Sequence, residues 1–333
     1  MAGANYCREQ PPDGRTKWKQ FLVLAVVVTS CSNRKRRPAV PRLEASNLPS
    51  GSSIDVAHEW AARLAVADDR TPAKRLYCGR SFQEAVQAAA RAQAPLYVVS
   101  AGLGLIAADA LIPSYSLTIA PHSADNILTK IGGRLTGEWW REIGRCSPLA
   151  TSVAAIAARL PQVPILIALP NLYFRMVQNE LLSLPGEARS RLRLFSRRVA
   201  GELDAAVGRF IMPYDDRLDG HDSIWRGTQA DFAARAMRHF VETILAADPD
   251  ASAEVHAHAV QAALADWTRT PVPRRPRLAD DAIRALIGTY WDVAEGRSSR
   301  LLRLLRDNLS VACEQGRFRD LFHQVKRERE NRA

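Results

Sequence analysis

This chain has no long hydrophobic run, few cysteines, and too little negative charge to balance its positive charge. Its most apolar stretch, Phe21–Val28, is eight residues long. A membrane helix needs roughly 20, so no membrane partner is expected. The five cysteines (Cys7, Cys31, Cys78, Cys146 and Cys313) are scattered, with no C-x-x-C pair. That spacing offers neither a disulfide framework nor a zinc site, and it suits a reducing, cytoplasmic compartment. A complete dinucleotide loop is also missing. Ser100-Ala-Gly-Leu-Gly-Leu105 is followed by Ala107 where G-x-G-x-x-G places its third glycine. No acidic residue closes a strand about 20 residues on. NAD binding is therefore disfavoured and no cofactor is called for; Gly102 and Gly104 read as room for a ligand to approach the backbone. No internal repeat is present.

What is abundant is basic charge. The chain has 46 Lys+Arg against 35 Asp+Glu, a net charge of +11. From Arg269 to Ala333 there are 15 Lys+Arg and 9 Asp+Glu, so +6 of the +11 lies in the last fifth. Such a balance points to a polyanionic partner, nucleic acid above all.

Phe21–Val28 admits two readings, a secretion-signal core ending at Val28-Thr29-Ser30-Cys31 or a buried strand. Glu9, Asp13, Pro11 and Pro12 precede it, and Arg34, Lys35, Arg36 and Arg37 follow. A positive block there resists export, and continuous Val and Leu suit a strand covered on both faces. Further apolar runs at 95–100, 163–169, 192–196 and 209–212 alternate with helical spacing at 55–67, 81–93, 136–143, 148–160 and 171–184. The pattern predicts an α/β fold, a three-layer parallel sheet with helices on both faces. Ser81 with Glu84 reads as a capping box, and Thr228 as the cap of a helix over 228–247. The expected organisation is a leader over 1–20, an α/β catalytic domain over 21–247, a helix and basic linker over 248–277, and a basic helical tail over 278–333.

Ligands of an open parallel sheet sit at the carboxyl ends of its strands. That rule gathers Cys31, Ser32, Arg34 and Lys35 after the first strand, Ser100, Gly102 and then Asp109 after the second, and Asn171 after the third. It adds Arg197 and Arg198 after the fourth, and the loop Pro213–Asp222 after the fifth. In that loop Tyr214, Asp215, Asp216, Asp219, His221 and Asp222 read either as an acid/base cluster or as a solvated turn. Asp215, Asp219 and His221 also allow a divalent-metal set, unsupported by any second motif. Cys31 reads as a thiol activated by its basic neighbours or as a small residue in a tight turn. Arg297, Arg300, Arg303 and Arg306 recur every three residues and suit phosphate contact.

Thr29–Lys35, Leu76–Phe82, Val98–Ile106 and Ile112–Tyr115 resemble, in order and spacing, a poorly characterised bacterial and phage family. Its members carry a Ser-Cys loop closed by lysine, Y-x-G-x-x-F, S-A-x-x-G-L and a later P-Y. It is related to the peroxide-stress YaaA-like proteins and to transglycosylase-associated domains, and more distantly resembles the uracil-DNA glycosylase superfamily. The resemblance spans roughly residues 21–120, with Gly102-Leu103 standing where the family usually has Lys-Tyr. It implies a strand-end pocket for an extruded base and excision of a modified base, such as glucosylated hydroxymethylcytosine, from phage DNA. Base exchange of a deazaguanine type and a non-catalytic binding module are the alternatives. On this reading Asp109, Asp216, Asp219 and His221 carry the chemistry, and Cys31, Ser32, Ser100, Gly102, Tyr115, Asn171 and Tyr214 form the pocket. Arg34, Lys35, Arg197, Arg198, Arg300 and Arg303 hold double-stranded DNA, and no obligate protein partner is expected.

Overall fold

A computed structural model describes residues 23–133, 136–197, 203–269 and 276–331. The leader, Phe21, Leu22, Arg198 and most of the basic linker lie outside the described residues. The chain divides into two compact units, Met1–Arg269 and Thr270–Ala333. The first takes in the helix over 253–263, which the sequence assigns to the linker.

The strands are β1 (Val26–Ser30), β2 (Arg70–Pro72), β3 (Leu96–Ser100), β4 (Gly104–Ala107), β5 (Leu111–Pro113), β6 (Ile165–Ala168) and β7 (Leu192–Phe195). The first unit's helices are α1 (Ser53–Ala65), α2 (Ala73–Leu76), α3 (Arg80–Arg91), α4 (Thr136–Cys146), α5 (Val153–Arg159), α6 (Asn171–Leu182), α7 (Gly186–Ser190), α8 (Ala205–Gly208), α9 (Phe232–His239) and α10 (Ala253–Ala263). The second unit has α11 (Asp280–Thr289), α12 (Ser298–Arg303) and α13 (Gln315–Glu330). They close on a core of their own that includes Ile283, Leu301, Leu305 and Phe318.

The main sheet runs β4-β3-β1-β6-β7, with β1 in its centre. Successive valines of β1 face opposite layers. Val26 and Val28 pack with Trp60 of α1, Trp139 of α4 and Phe174 of α6. Val27 packs with Ala85 of α3, Phe232 of α9 and Val260 of α10. The unbroken valine run of Val26–Val28 is what burial between two helical layers requires. The end of the apolar stretch, Val26–Val28, thus lies in the central strand, with Val28, Thr29 and Ser30 of the apparent cleavage box inside it and buried. Among the described residues, no helix is long and apolar enough to cross a membrane.

Four sequence expectations change. First, β4 is antiparallel to β3, with Ser100 opposite Gly104 and Tyr97 opposite Ala107. The supposed ligand loop is therefore a hairpin turn, and Gly104 supplies its left-handed residue at φ +76°. Second, residues 209–212 form only an isolated bridge, Ile211 to Leu194. Third, α3 begins at Arg80 with Gly79 as its cap, so Ser81 is already helical. Fourth, α9 starts after Asp231 rather than at Thr228. The Asp231 side chain accepts from the Thr228 N–H and anchors the approach to the helix instead.

Candidate functional site

β1 ends at Ser30, and the Cys31 N–H continues the ladder by donating to Val99 O at 2.9 Å. The thiol then meets the Tyr173 hydroxyl of α6 at 3.4 Å. Four residues on, Lys35 forms a backbone bridge with Tyr77, which swings its side chain inward. Its Nζ rests 4.4 Å from the Tyr115 ring centroid and 5.9 Å from that of Tyr77. Burial lowers its ammonium below the usual lysine value, against an opposing pull from Cys31 and Asp125.

Beneath lies a chain of hydroxyls. Ser100 Oγ is 2.6 Å from Tyr115 OH, which is 2.7 Å from Tyr77 OH. Ser100 Oγ already accepts from the Gly102 and Leu103 N–H groups, each at 3.1 Å. Its own proton therefore goes to Tyr115, which donates in turn to Tyr77. Burial raises both phenols well above the usual tyrosine value. The turn holding Ser100 is clamped from outside, because Trp139 Nε1 donates to Ala101 O and Trp60 Nε1 to Gly102 O, both at 2.7 Å. Gly102 is required by contact, since a Cβ there would stand 2.8 Å from Tyr115 Cε2. Asp125 completes the region, accepting from Ser46 N–H at 2.9 Å and Ser116 Oγ at 2.6 Å. Burial opposes its ionisation, but these bonds and the Lys35 charge hold its carboxyl below the usual range.

The ends of β6 and β7 open a cleft of about 370 Å³, lined by Pro170, Asn171, Ser196, Arg197 and Phe232 among others. Ser196 Oγ lies 2.6 Å from Asn171 Oδ1 and orients that amide. Arg197 donates through Nε at 3.1 Å and Nη2 at 2.7 Å to Asp216 Oδ1. Its guanidinium carbon lies 5.7 Å from the Phe232 ring centroid.

The acid-rich loop is largely a scaffold. Arg235, 1% exposed, binds Asp231 Oδ1 at 2.6 Å, Asp219 Oδ1 at 2.9 Å and the carbonyl of Thr228 at 2.8 Å. Arg80 reaches the other Asp231 oxygen at 3.1 Å. Asp215 is held by Arg217 and Arg269. His221 is exposed, bonded to Thr268 and Asp222. Tyr214 is buried in the core layer that holds Val27 and Phe232, its hydroxyl 2.7 Å from His239 Nδ1. Among the described residues no three His, Cys, Asp or Glu side chains could hold a metal ion, so Asp215, Asp219 and His221 do not form a ligand set.

The structure places Cys31, Lys35, Ser100, Asn171 and Arg197 at the carboxyl ends of the strands, as the rule expects, and Asp216 reaches the cleft only through its pair with Arg197. The rule fails for Asp109. Because β4 runs back along β3, Asp109 lies at the opposite end of the sheet, exposed and paired with Lys74. Asp219, His221 and Tyr214 are likewise drawn into the scaffold or the surface, away from the cleft lining. Ser32 packs against Gly79 and accepts from the Arg34 N–H, while Arg34 itself is exposed. In the second unit Arg300 pairs with Glu295, and Arg303 lines a cleft of about 740 Å³ with Arg306 and Arg319. Tyr77, Tyr173 and Asp125 also belong to this region, although the sequence alone marks none of them as site residues. Tyr77 opens the Y-x-G-x-x-F segment, and Tyr173 lies two residues beyond Asn171.

Residues 64–132 match DUF6884, a family of unknown function; this segment holds Tyr77, the Ser100 turn, Tyr115 and Asp125. No curated protein and no solved structure matches the chain.

Proposed function

We propose that the protein is a DNA glycosylase that excises a modified base by hydrolysing its N-glycosidic bond. The observation that carries this reading is the cleft at the ends of β6 and β7, lined by an amide–hydroxyl pair and by Arg197, whose guanidinium in turn holds the Asp216 carboxylate. Its volume lies within the range of small-molecule sites, and the +11 net charge suits a polyanion. An extruded base would meet the Asn171 amide, held by Ser196, along its edge. Arg197 would take a phosphate or the developing charge on the departing base. Asp216, half exposed and fixed by Arg197, is the carboxylate at hand to position water and to stabilise the cationic sugar as the C1′–N bond breaks towards the base.

The test is to incubate the protein with phage DNA carrying glucosylated hydroxymethylcytosine and with unmodified DNA, scoring abasic sites and released base. Asp216→Asn should lower excision by about 100-fold or more, while Asp109→Asn should leave it unchanged. No released base from either DNA refutes excision. A replaced base indicates exchange, and a salt-sensitive complex with intact DNA indicates a binding module.

A further inference from the structure

Arginine dominates the basic residues of this chain, and only six positions are lysine: Lys17, Lys19, Lys35, Lys74, Lys130 and Lys326. The difference is chemical, because an ammonium can shed its proton and act as a nucleophile whereas a guanidinium cannot. Three of the four lysines among the described residues have an oxygen partner. Lys74 pairs with Asp109, Lys326 with Glu330 at 3.7 Å, and Lys130 donates to Ser46 O at 2.8 Å. Lys35 has none. Its Nζ lies over the Tyr115 ring, where the ring face supplies attraction without a hydrogen-bond acceptor.

Its surroundings add three features. Lys35 is half-buried at the carboxyl end of the central strand, on the sheet edge that also carries the Asn171–Arg197 cleft. The nearby carboxylate, Asp125, has its two oxygens engaged by Ser46 and Ser116, so it lends a distant charge and no contact. Tyr77 and Tyr115 are fixed by their own hydrogen bonds, which holds the platform under the amine rigid. Burial lowers the proton affinity of Lys35, so a larger fraction of it is free amine near neutrality than of an exposed lysine.

We propose that Lys35 is an amine nucleophile that captures an aldehyde carbon, specifically C1′ of the ring-opened deoxyribose left at an abasic site. The inference rests on the base-excision reading and names what a group on the same side of the sheet does with the product. The Nζ lone pair adds to C1′, a C=N bond forms, the C1′–O bond breaks, and the oxygen departs as water with the two amine protons. Water reverses the step, so the imine is a transient hold on a reactive aldehyde. Cyanoborohydride delivers hydride to C1′ and makes the Nζ–C1′ link permanent.

The experiment incubates the full chain with a duplex oligonucleotide in which a uracil has been removed beforehand, in the presence of sodium cyanoborohydride. The covalent adduct is then mapped by peptide mass spectrometry. The expected result is an adduct on Lys35, lost by tenfold or more in Lys35→Arg, whose fold is checked by circular dichroism. Mapping the wild-type adduct keeps the test decisive should that variant misfold. An adduct only on other lysines, or none at all, overturns the inference. Because the abasic site is supplied ready-made, this result is independent of excision. Released base without a Lys35 adduct leaves the glycosylase reading standing and removes the lysine's role. An adduct without released base does the reverse.

Discussion

His239 gives the sharpest stability prediction. It is 3% exposed, its Nδ1 lies 2.7 Å from Tyr214 OH, and the rings of Tyr214, Trp225 and Trp267 stand edge-on at 5.4–5.5 Å. Burial pushes its pKa down to about 4, with only partial compensation from Glu242. An unfolded histidine titrates near 6.5. Between those values the unfolded chain binds the extra proton, so stability is complete above about pH 6.5 and falls as the pH drops towards 4. At about 1.4 kcal/mol per pH unit, the loss is about 2 kcal/mol at pH 5 and saturates at roughly 3 kcal/mol. Burial also lowers the pKa of His256 and raises that of Glu180, so the whole-protein slope does not isolate His239. Replacement by a residue of similar reach that cannot titrate does so. Urea unfolding followed by tryptophan fluorescence at pH 7.5 and pH 5, on wild type and His239→Gln, gives the difference of differences. Wild type should lose about 2 kcal/mol more than the variant over that interval. A difference below about 0.5 kcal/mol would refute the assignment of a neutral, caged imidazole.

Three other outcomes follow from the geometry. Arg235→Met removes the buried cation from Asp231, leaving it Arg80 and the Thr228 N–H, and takes one partner from Asp219; it should cost about 3–5 kcal/mol in urea unfolding, and a loss under 1 kcal/mol would show that the loop is held otherwise. Gly102→Ala drives a methyl into the Tyr115 ring and should cost about 1–3 kcal/mol, read as a lowered thermal midpoint. A chain ending at Arg269 should keep one cooperative calorimetric transition, since each unit has its own core; a broad, non-cooperative trace contradicts that independence.

The layers of the fold were legible in the sequence because period and apolar content are local signals. Val26–Ser30, Ile165–Ala168 and Leu192–Phe195 are short buried runs, and the helices between them carry spaced apolar positions. The direction of β4 was not legible. Gly102-Leu103-Gly104 suits a ligand loop or a hairpin equally, and only the pairing of Ser100 with Gly104 decides between them. That one reversal carried Asp109 to the far end of the sheet. The acidic loop misled for another reason. Its partner Arg235 lies on the following helix inside an apolar pattern, so nothing local says that Asp219 and Asp231 are already bound. Lys35 and Cys31 were legible by position, whereas their tyrosine neighbours come from segments as distant as Tyr173.

The ion pairs of the second unit bear on how a polyanion would bind there. Arg284, Arg300, Arg317 and Arg329 each already hold an internal carboxylate, from Glu328, Glu295, Asp280 and Asp292. Exposed pairs of this kind are weak, about 0–1 kcal/mol, so a phosphate can displace the carboxylate at small cost. The ion stoichiometry differs, however. A phosphate meeting a bare cation releases a condensed counterion and steepens the dependence on salt by nearly one unit of slope. One that evicts a carboxylate leaves a new anion in need of a cation, which takes back much of that release. The slope of log affinity against log salt would then fall short of the number of arginines in contact, and the shortfall would count the pairs exchanged.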